Sequence, residues 1–339
     1  MKTLLLPYSL PLSTPWHTAQ GVLHSRNGWL VKIRMADGMT GWGDCAPPSW
    51  MGVEQISTAG SDLQRFRPQL SSLDPRQALR QLESIEEMSS AARFAFESAL
   101  LDLLSQQQSL SVSRLLNLQA ASLVKVNAAL GAITQVSDDQ ILQAVNAGMK
   151  LLKFKAGVAG VEQEITRLQQ VAALLPEGIR LRIDANQAWS MDESLCFLRE
   201  SEKLPIESVE EPLREPAVGA WRMLAESSQI PLAADESLVT TDIAALLECG
   251  GISRVVLKPT MLGGLRQCMN IHQQAAAVGV ESVVTTTLES AVGVWACVNL
   301  AAAVDPMQKT AHGLATSSWF SENNGAPPEI ENGIIHLPE

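Results

Sequence analysis

The sequence predicts an α/β fold: a closed parallel βα barrel preceded by a smaller α+β module. Three observations predict it. The chain has 339 residues, and a prior of about 150 residues per domain divides that length into two units. From Val124 onward, short apolar runs alternate with amphipathic helical stretches, as in a parallel sheet whose crossovers return the chain to the same end. The starts of those runs recur at about 25 to 30 residues, close to the ~31 expected when about 250 residues make eight βα units.

The first third has a different rhythm. "GWLVKIRMADGMTGWGDCAP" reads as two strands turning at Asp37-Gly38, a hairpin signal. Helical spacing follows over 53–66, 75–87 and 89–107, and these elements make an α+β module of about 110 residues. The later strand candidates are "VKVNAAL", "KLLKFKAG", "IRLRIDAN", "IESVEEP", "IPLAADES", "ISRVVLKPT", "VESVVTTTLES" and "KTAHGLA". "DDQILQAVNAG", "VEQEITRLQQVAALL" and "LRQCMNIHQQAAAVG" are among the helices between them. An open doubly wound sheet is the competing architecture, but no G-x-G-x-x-G, Walker loop, G-x-S-x-G or H-E-x-x-H supports its usual chemistry.

Composition narrows the function. With 46% apolar, 18% charged and 4% aromatic residues, the chain is a globular protein with an aliphatic interior. A net charge of -11 argues against nucleic acid as a partner, since phosphate binding needs a basic surplus. Five dispersed cysteines (Cys45, Cys196, Cys249, Cys268, Cys297) form no C-x-x-C pair and read as reduced thiols. Pro7 and Pro11 interrupt the apolar start, no run reaches the ~20 apolar residues of a membrane span, and a cytoplasmic location is expected.

In "LLKFKAGV", Lys153 and Lys155 stand one residue apart, so on a strand both point to one face. Burial and mutual repulsion push at least one amine toward the neutral, basic form. Barrel enzymes place their active sites at the carboxyl ends of the strands. There the second to sixth strands carry Lys155, Asp184, Glu210, Asp235 and Lys258. Three carboxylates converging on one point repel unless a cation joins them. An all-oxygen set selects a hard ion, Mg²⁺ with Mn²⁺ as a substitute. Arg182 and Asn186 flank Asp184 on its own face, as neighbours of the metal or contacts for substrate. Glu211 and Glu236 are expected to orient neighbours, and Trp189 to pack. Lysines on the second and sixth strands face each other across the ring. That arrangement suits proton abstraction beside a carboxylate, one lysine taking the proton while the metal stabilises the enediolate.

Taken together, "KFK", "RIDANQAW", "VEEPL", "AADESL", "VVLKPTMLGGL" and "TTTLES" resemble the enolase superfamily, specifically its muconate-lactonizing subgroup. Within it, "DESL", "KPT" and the "GL-x-T" at Gly313 are most like the o-succinylbenzoate synthases. The resemblance implies a modified TIM barrel, (β/α)7β, over 120–315, with a capping domain over 1–119 completed by 316–339. It implies a hydro-lyase of menaquinone biosynthesis that dehydrates 2-succinyl-6-hydroxy-2,4-cyclohexadiene-1-carboxylate. Lys155 would take the α-proton and return it to the departing hydroxyl, Lys258 would stabilise the enediolate, and Lys153 belongs to the same catalytic set. Asp184, Glu210 and Asp235 would hold the metal, while Arg182, Asn186 and backbone amides near Thr285 and Gly313 would contact substrate. The expected partner is a small carboxylate, with neither nucleic acid nor membrane; oligomeric state is left open.

Two departures stand out. The cap reads "GWGDCAP", with Asp44 where the family usually has glutamate, and the last strand reads "HGLATSS". Dipeptide epimerases of the family carry Asp-x-Asp there to grip an ammonium group. N-succinylamino acid racemisation uses the same lysines and metal and stands as the alternative reaction, with muconate cycloisomerisation behind it. An inert barrel serving as a binding protein is the reading from another class. Cap loops around "LSTPWHTAQG" and "PPSWMGVEQ", with Trp16, Trp50 and Met51, would close over the ligand.

Overall fold

The structure, a computed structural model, describes residues 1–18, 21–52 and 54–338; the side chains of Trp16 and Met51 lie outside what is described. Three strands, β1 (Lys2–Thr18), β2 (Gly21–Arg34) and β3 (Thr40–Cys45), form an antiparallel sheet in that order. The turn between β2 and β3 follows the sequence signal: Gly38 takes φ 98° and the Asp37 carboxylate accepts the Met39 amide at 3.0 Å. β1 was not anticipated, because Pro7 and Pro11 argue against a strand; it lies at the sheet edge, where a missing N–H is tolerated.

Helices α1 (Ile56–Ser71), α2 (Pro75–Glu83) and α3 (Ser90–Gln108) complete the module. A reciprocal cap between Asp74 and Gln77 fixes the start of α2, which ends at Glu83, short of the expected 87. α3 is buried on nearly every face because β3 covers one side and the barrel the other. Contact with β3 is backbone to backbone: a Cβ on Gly41 or Gly43 would stand 2.0 Å from Ala99 O or 1.9 Å from Ala95 O.

The second unit is the expected barrel. β4 (Leu123–Lys125) enters at its foot, paired antiparallel with the C-terminal β12 (Ile334–His336). Then β5 (Ala128–Ala132), β6 (Leu151–Lys155), β7 (Arg180–Asp184), β8 (Ile206–Glu210), β9 (Leu232–Ala234), β10 (Arg254–Leu257) and β11 (Glu281–Val284) form one sheet in sequence order. All six pairings are parallel. Closure falls to a very short eighth strand: His312 bridges Val126 and Gly313 bridges Thr285, both parallel. Past the barrel, Phe320 bridges Leu12 and Ser321 N donates to Pro11 O at 3.1 Å, so the C-terminal segment touches the cap. Among the described residues, no helix is long and apolar enough to cross a membrane.

Candidate active site

Strand register builds the site. Lys155 pairs with Asp184 and Asp184 with Glu210 across β6, β7 and β8, so three ionisable side chains leave adjacent strands at one level. Asp235 follows β9 and Lys258 follows β10. β6 and β10 have three strands between them by either route round the ring, which puts Lys155 and Lys258 on opposite sides with the acids on one arc.

Asp184, Glu210 and Asp235 are buried and offer oxygens that all lie within 4.8 Å of one another. Lys153 Nζ reaches Asp184 Oδ2 at 2.9 Å and Glu210 Oε2 at 2.5 Å, and Lys258 Nζ bonds Asp235 Oδ2. Three buried carboxylates converging on one point offer an all-oxygen donor set, which fits a hard divalent cation. Glu211 orients the set: its carboxylate accepts the amides of Asp235 (2.6 Å) and Ser237 (2.8 Å), the Ser237 hydroxyl (2.8 Å) and Gln187 Nε2 (3.0 Å). Glu236 accepts Asn186 Nδ2 at 3.0 Å. Trp189 stacks on Phe197 with centroids 4.4 Å apart, a packing role.

The amines differ in proton affinity. Burial lowers the pKa of Lys155, opposed by Asp184 and reinforced by Lys153 and Lys258, and the net shift is downward. For Lys153 burial is outweighed by Asp184 and Glu210, and for Lys258 by Asp235 and Glu236, so both stay above the ordinary lysine range. Lys155 is therefore the amine nearest to serving as a base.

A cavity of about 410 Å³ opens on this cluster. Lys153, Lys155, Asp184, Asn186, Glu236 and Lys258 line one side; Thr285, Thr286, Thr287, Leu288, Gly313, Thr316 and Trp319 line the other, with Trp50 from the cap. A larger hollow, about 860 Å³, lies on the cap around Trp29, Gln55 and Gly60, apart from these residues. Arg26 joins cap to barrel. Fully buried, it donates to the carbonyls of Ala46, Pro47 (2.7 Å) and Leu288 (3.1 Å), and its guanidinium lies 4.3 Å over the Trp50 ring. Asp44 is buried in the same seam, accepting Tyr8 OH (2.7 Å) and Ser290 N (2.8 Å), with its pKa pushed to about 6, chiefly by burial.

Arg182 is corrected as an expected substrate contact, while Thr285 and Gly313 hold their place beside the cavity with their own amides engaged. Arg182 is 1% exposed and does not line the cavity; it lies beneath the acids, bonded to Glu207 (3.0 and 3.1 Å), Asn127 and Ala311 O. The amides of Thr285 and Gly313 are spent on the barrel ladder, donating to Leu257 O (3.0 Å) and Val284 O (2.9 Å). Both residues still form wall, and glycine is needed at 313 because a Cβ there would meet Thr285 Oγ1 at 2.3 Å. Arg26, Asn127, Thr286, Thr316 and Trp319 were missed from sequence. "TSSWF" held the signal for the last two.

Fold and site together define a class: a βα-barrel enzyme with an acid cradle for a divalent cation and an amine on either side. The chain belongs to the enolase superfamily, in its muconate-lactonizing subgroup. Residues 137–339 match the enolase C-terminal domain-like family, and residues 2–117 match the mandelate racemase / muconate lactonizing enzyme N-terminal domain. Similar proteins include an L-Ala-D/L-Glu epimerase of Clostridium acetobutylicum, 30% identical over 87% of this chain and 84% of that protein. An o-succinylbenzoate synthase of Yersinia pseudotuberculosis is 27% identical over 92% of this chain and 89% of its own. Among solved structures, the dipeptide epimerase of Enterococcus faecalis complexed with Mg and L-Leu-L-Tyr superposes with a TM-score of 0.88 at 23% identity, covering 99% of this chain and 96% of that one.

Proposed function

We propose that the protein is an Mg²⁺-dependent epimerase or racemase that moves a proton at the carbon next to a substrate carboxylate. One observation carries this reading: Lys155 and Lys258 flank the acid cradle from opposite sides of the ring. One-base chemistry needs an amine on one face only; inversion needs one on each. Asp184, Glu210 and Asp235 would hold Mg²⁺, or Mn²⁺ in its place, which when bound supplies positive charge to the substrate carboxylate as its α-proton leaves. Lys155, with its lowered proton affinity, takes the proton from one face. Lys258, held charged by Asp235, delivers one to the other. Lys153 stays clamped between Asp184 and Glu210 and sets their spacing. Weight among the curated relatives lies with epimerases, which supports this reading over the dehydration expected from sequence.

Of the described cavity-lining residues contributed after β11, none carries a carboxylate. A free ammonium would therefore lack a counter-charge on that wall, and N-acylated amino acids, such as N-succinylamino acids, fit better than dipeptides. The same neutral wall, with the synthase among the relatives, favours a second reading: dehydration of the cyclohexadiene acid to o-succinylbenzoate. A panel of N-succinylamino acids, dipeptides and the cyclohexadiene acid, with and without EDTA, tests both. Turnover of the first, abolished by chelation, supports the proposal; turnover of the cyclohexadiene acid alone, surviving in Lys258→Arg, transfers the conclusion to the synthase.

A further inference from the structure

We infer that Asn127, on the stretch leading into β5, is a substrate-recognition residue whose amide donates to an acceptor oxygen on the substrate's side arm. The inference rests on reading this cavity as the substrate site. Asn127 is 1% exposed and lines the cavity floor. Its Oδ1 accepts Arg182 Nη1 at 3.3 Å, and its backbone N–H donates to His312 O at 3.0 Å. Nδ2 is buried and has no partner among the described residues.

That orientation is chemically forced. A guanidinium offers only donors, so it must face the amide oxygen, and turning the amide over would set N–H against N–H. Arg182 in turn is locked by both oxygens of Glu207. Asn127 lines the cavity and Arg182 does not; with Oδ1 held by Arg182, the amide's two N–H donors are the groups left for a ligand that reaches the residue. Ala129 and Gly131, on β5 just after it, line the same cavity and bring no side chain larger than a methyl group. Neighbouring polar groups are already satisfied, Thr285 Oγ1 by Gly313 O and the Thr286 hydroxyl by that of Thr316. A buried N–H without a partner is costly, and a carbonyl or carboxylate oxygen supplies what it lacks. The residue thus selects ligands carrying an acyl oxygen beyond the anchoring carboxylate.

Two ligands with one carbon skeleton test this: 4-oxo-4-phenylbutanoate and 4-phenylbutanoate, titrated by calorimetry into the Mg²⁺-loaded full chain. Wild type is expected to prefer the oxo acid by at least about tenfold, the worth of one buried hydrogen bond. Asn127→Asp keeps the Arg182 contact and replaces the donor with an acceptor, and Asn127→Ser shortens the side chain; both are expected to lose the preference while binding Mg²⁺ as before. Equal binding of the two acids by wild type, or a preference retained in both variants, overturns the inference. Deuterium exchange at the substrate α-carbon, measured separately, distinguishes the failures: discrimination without exchange leaves Asn127 standing and removes the reaction proposed above.

Discussion

At the scale of residues, burial and neighbouring charges give chemically identical amines different proton affinities. Lys155 is pushed below the ordinary lysine value of 10.5 by burial and neighbouring ammonium groups, whereas Lys153 and Lys258 are held above it by carboxylates. A neutral amine is the base, so kcat/KM should rise with pH through a limb lying below 10.5; Lys155→Ala should remove the limb and cut proton transfer by ~10³-fold or more. A pH profile of both proteins checks this. Asp235→Asn should weaken Mg²⁺ binding by more than ~100-fold, beyond the cost of losing an outer-shell partner, as calorimetry would show. These residues were legible because period-two alternation tells which face a side chain takes, and the barrel-end rule tells where chemistry sits. Depth was not. Arg182 shares a face with Asp184 but sits two residues down the strand, under the floor. Asn127 looked like any polar residue in an apolar run until its amide was seen opposite Arg182.

At the scale of elements, the cap depends on two close backbone approaches. Gly43→Ala would force a Cβ to within 1.9 Å of Ala95 O, and no rotamer change relieves a clash with main chain. The variant should lose about 3 kcal/mol or more in urea unfolding; an unchanged midpoint would refute the packing. The second device is Glu97, on α3, whose carboxylate accepts the amides of Leu265 and Arg266 at the start of a barrel helix. Burial, partly opposed by those amides, pushes its pKa from 4.5 to about 7. The folded protein then holds this proton more tightly than the unfolded chain. Its stabilising contribution is complete below 4.5 and is lost as pH rises through about 7, up to about 3 kcal/mol. Glu97→Gln keeps the acceptor and should flatten stability between pH 4.5 and 7; parallel curves for the two proteins would contradict the assignment. Helices α2 and α3 were readable from spacing, yet this carboxylate was not, since a glutamate in an apolar helix gives no sign of the amides it will meet.

At the scale of the molecule, the strand–helix rhythm announced the barrel because eight units repeat one physical problem, burying a strand under a helix. How little backbone closes it was less visible. The eighth strand falls within the expected "KTAHGLA" run but is reduced to bridges at His312 and Gly313, shorter than the run suggests. β1 was hidden for another reason: prolines that argue against a strand are harmless at an edge. Since the cradle draws one acid from each of three successive strand ends, cation binding should stabilise the whole barrel. Mg²⁺ at a hundredfold excess over its Kd should add about 2.7 kcal/mol and raise the melting temperature of EDTA-stripped protein; no shift at millimolar Mg²⁺ would count against the cradle.

Proton transfer at a carbon beside a carboxylate is the reaction proposed for this cradle and its lysines, and isotope exchange reads it without waiting for net turnover. With Mg²⁺ in deuterium oxide, the wild-type protein should place deuterium at the α-carbon of an N-succinylamino acid. The label should appear in both enantiomers, and Lys155→Ala or EDTA should abolish it. Exchange that persists without Lys155, or its absence from every carboxylate in the panel, would contradict the account.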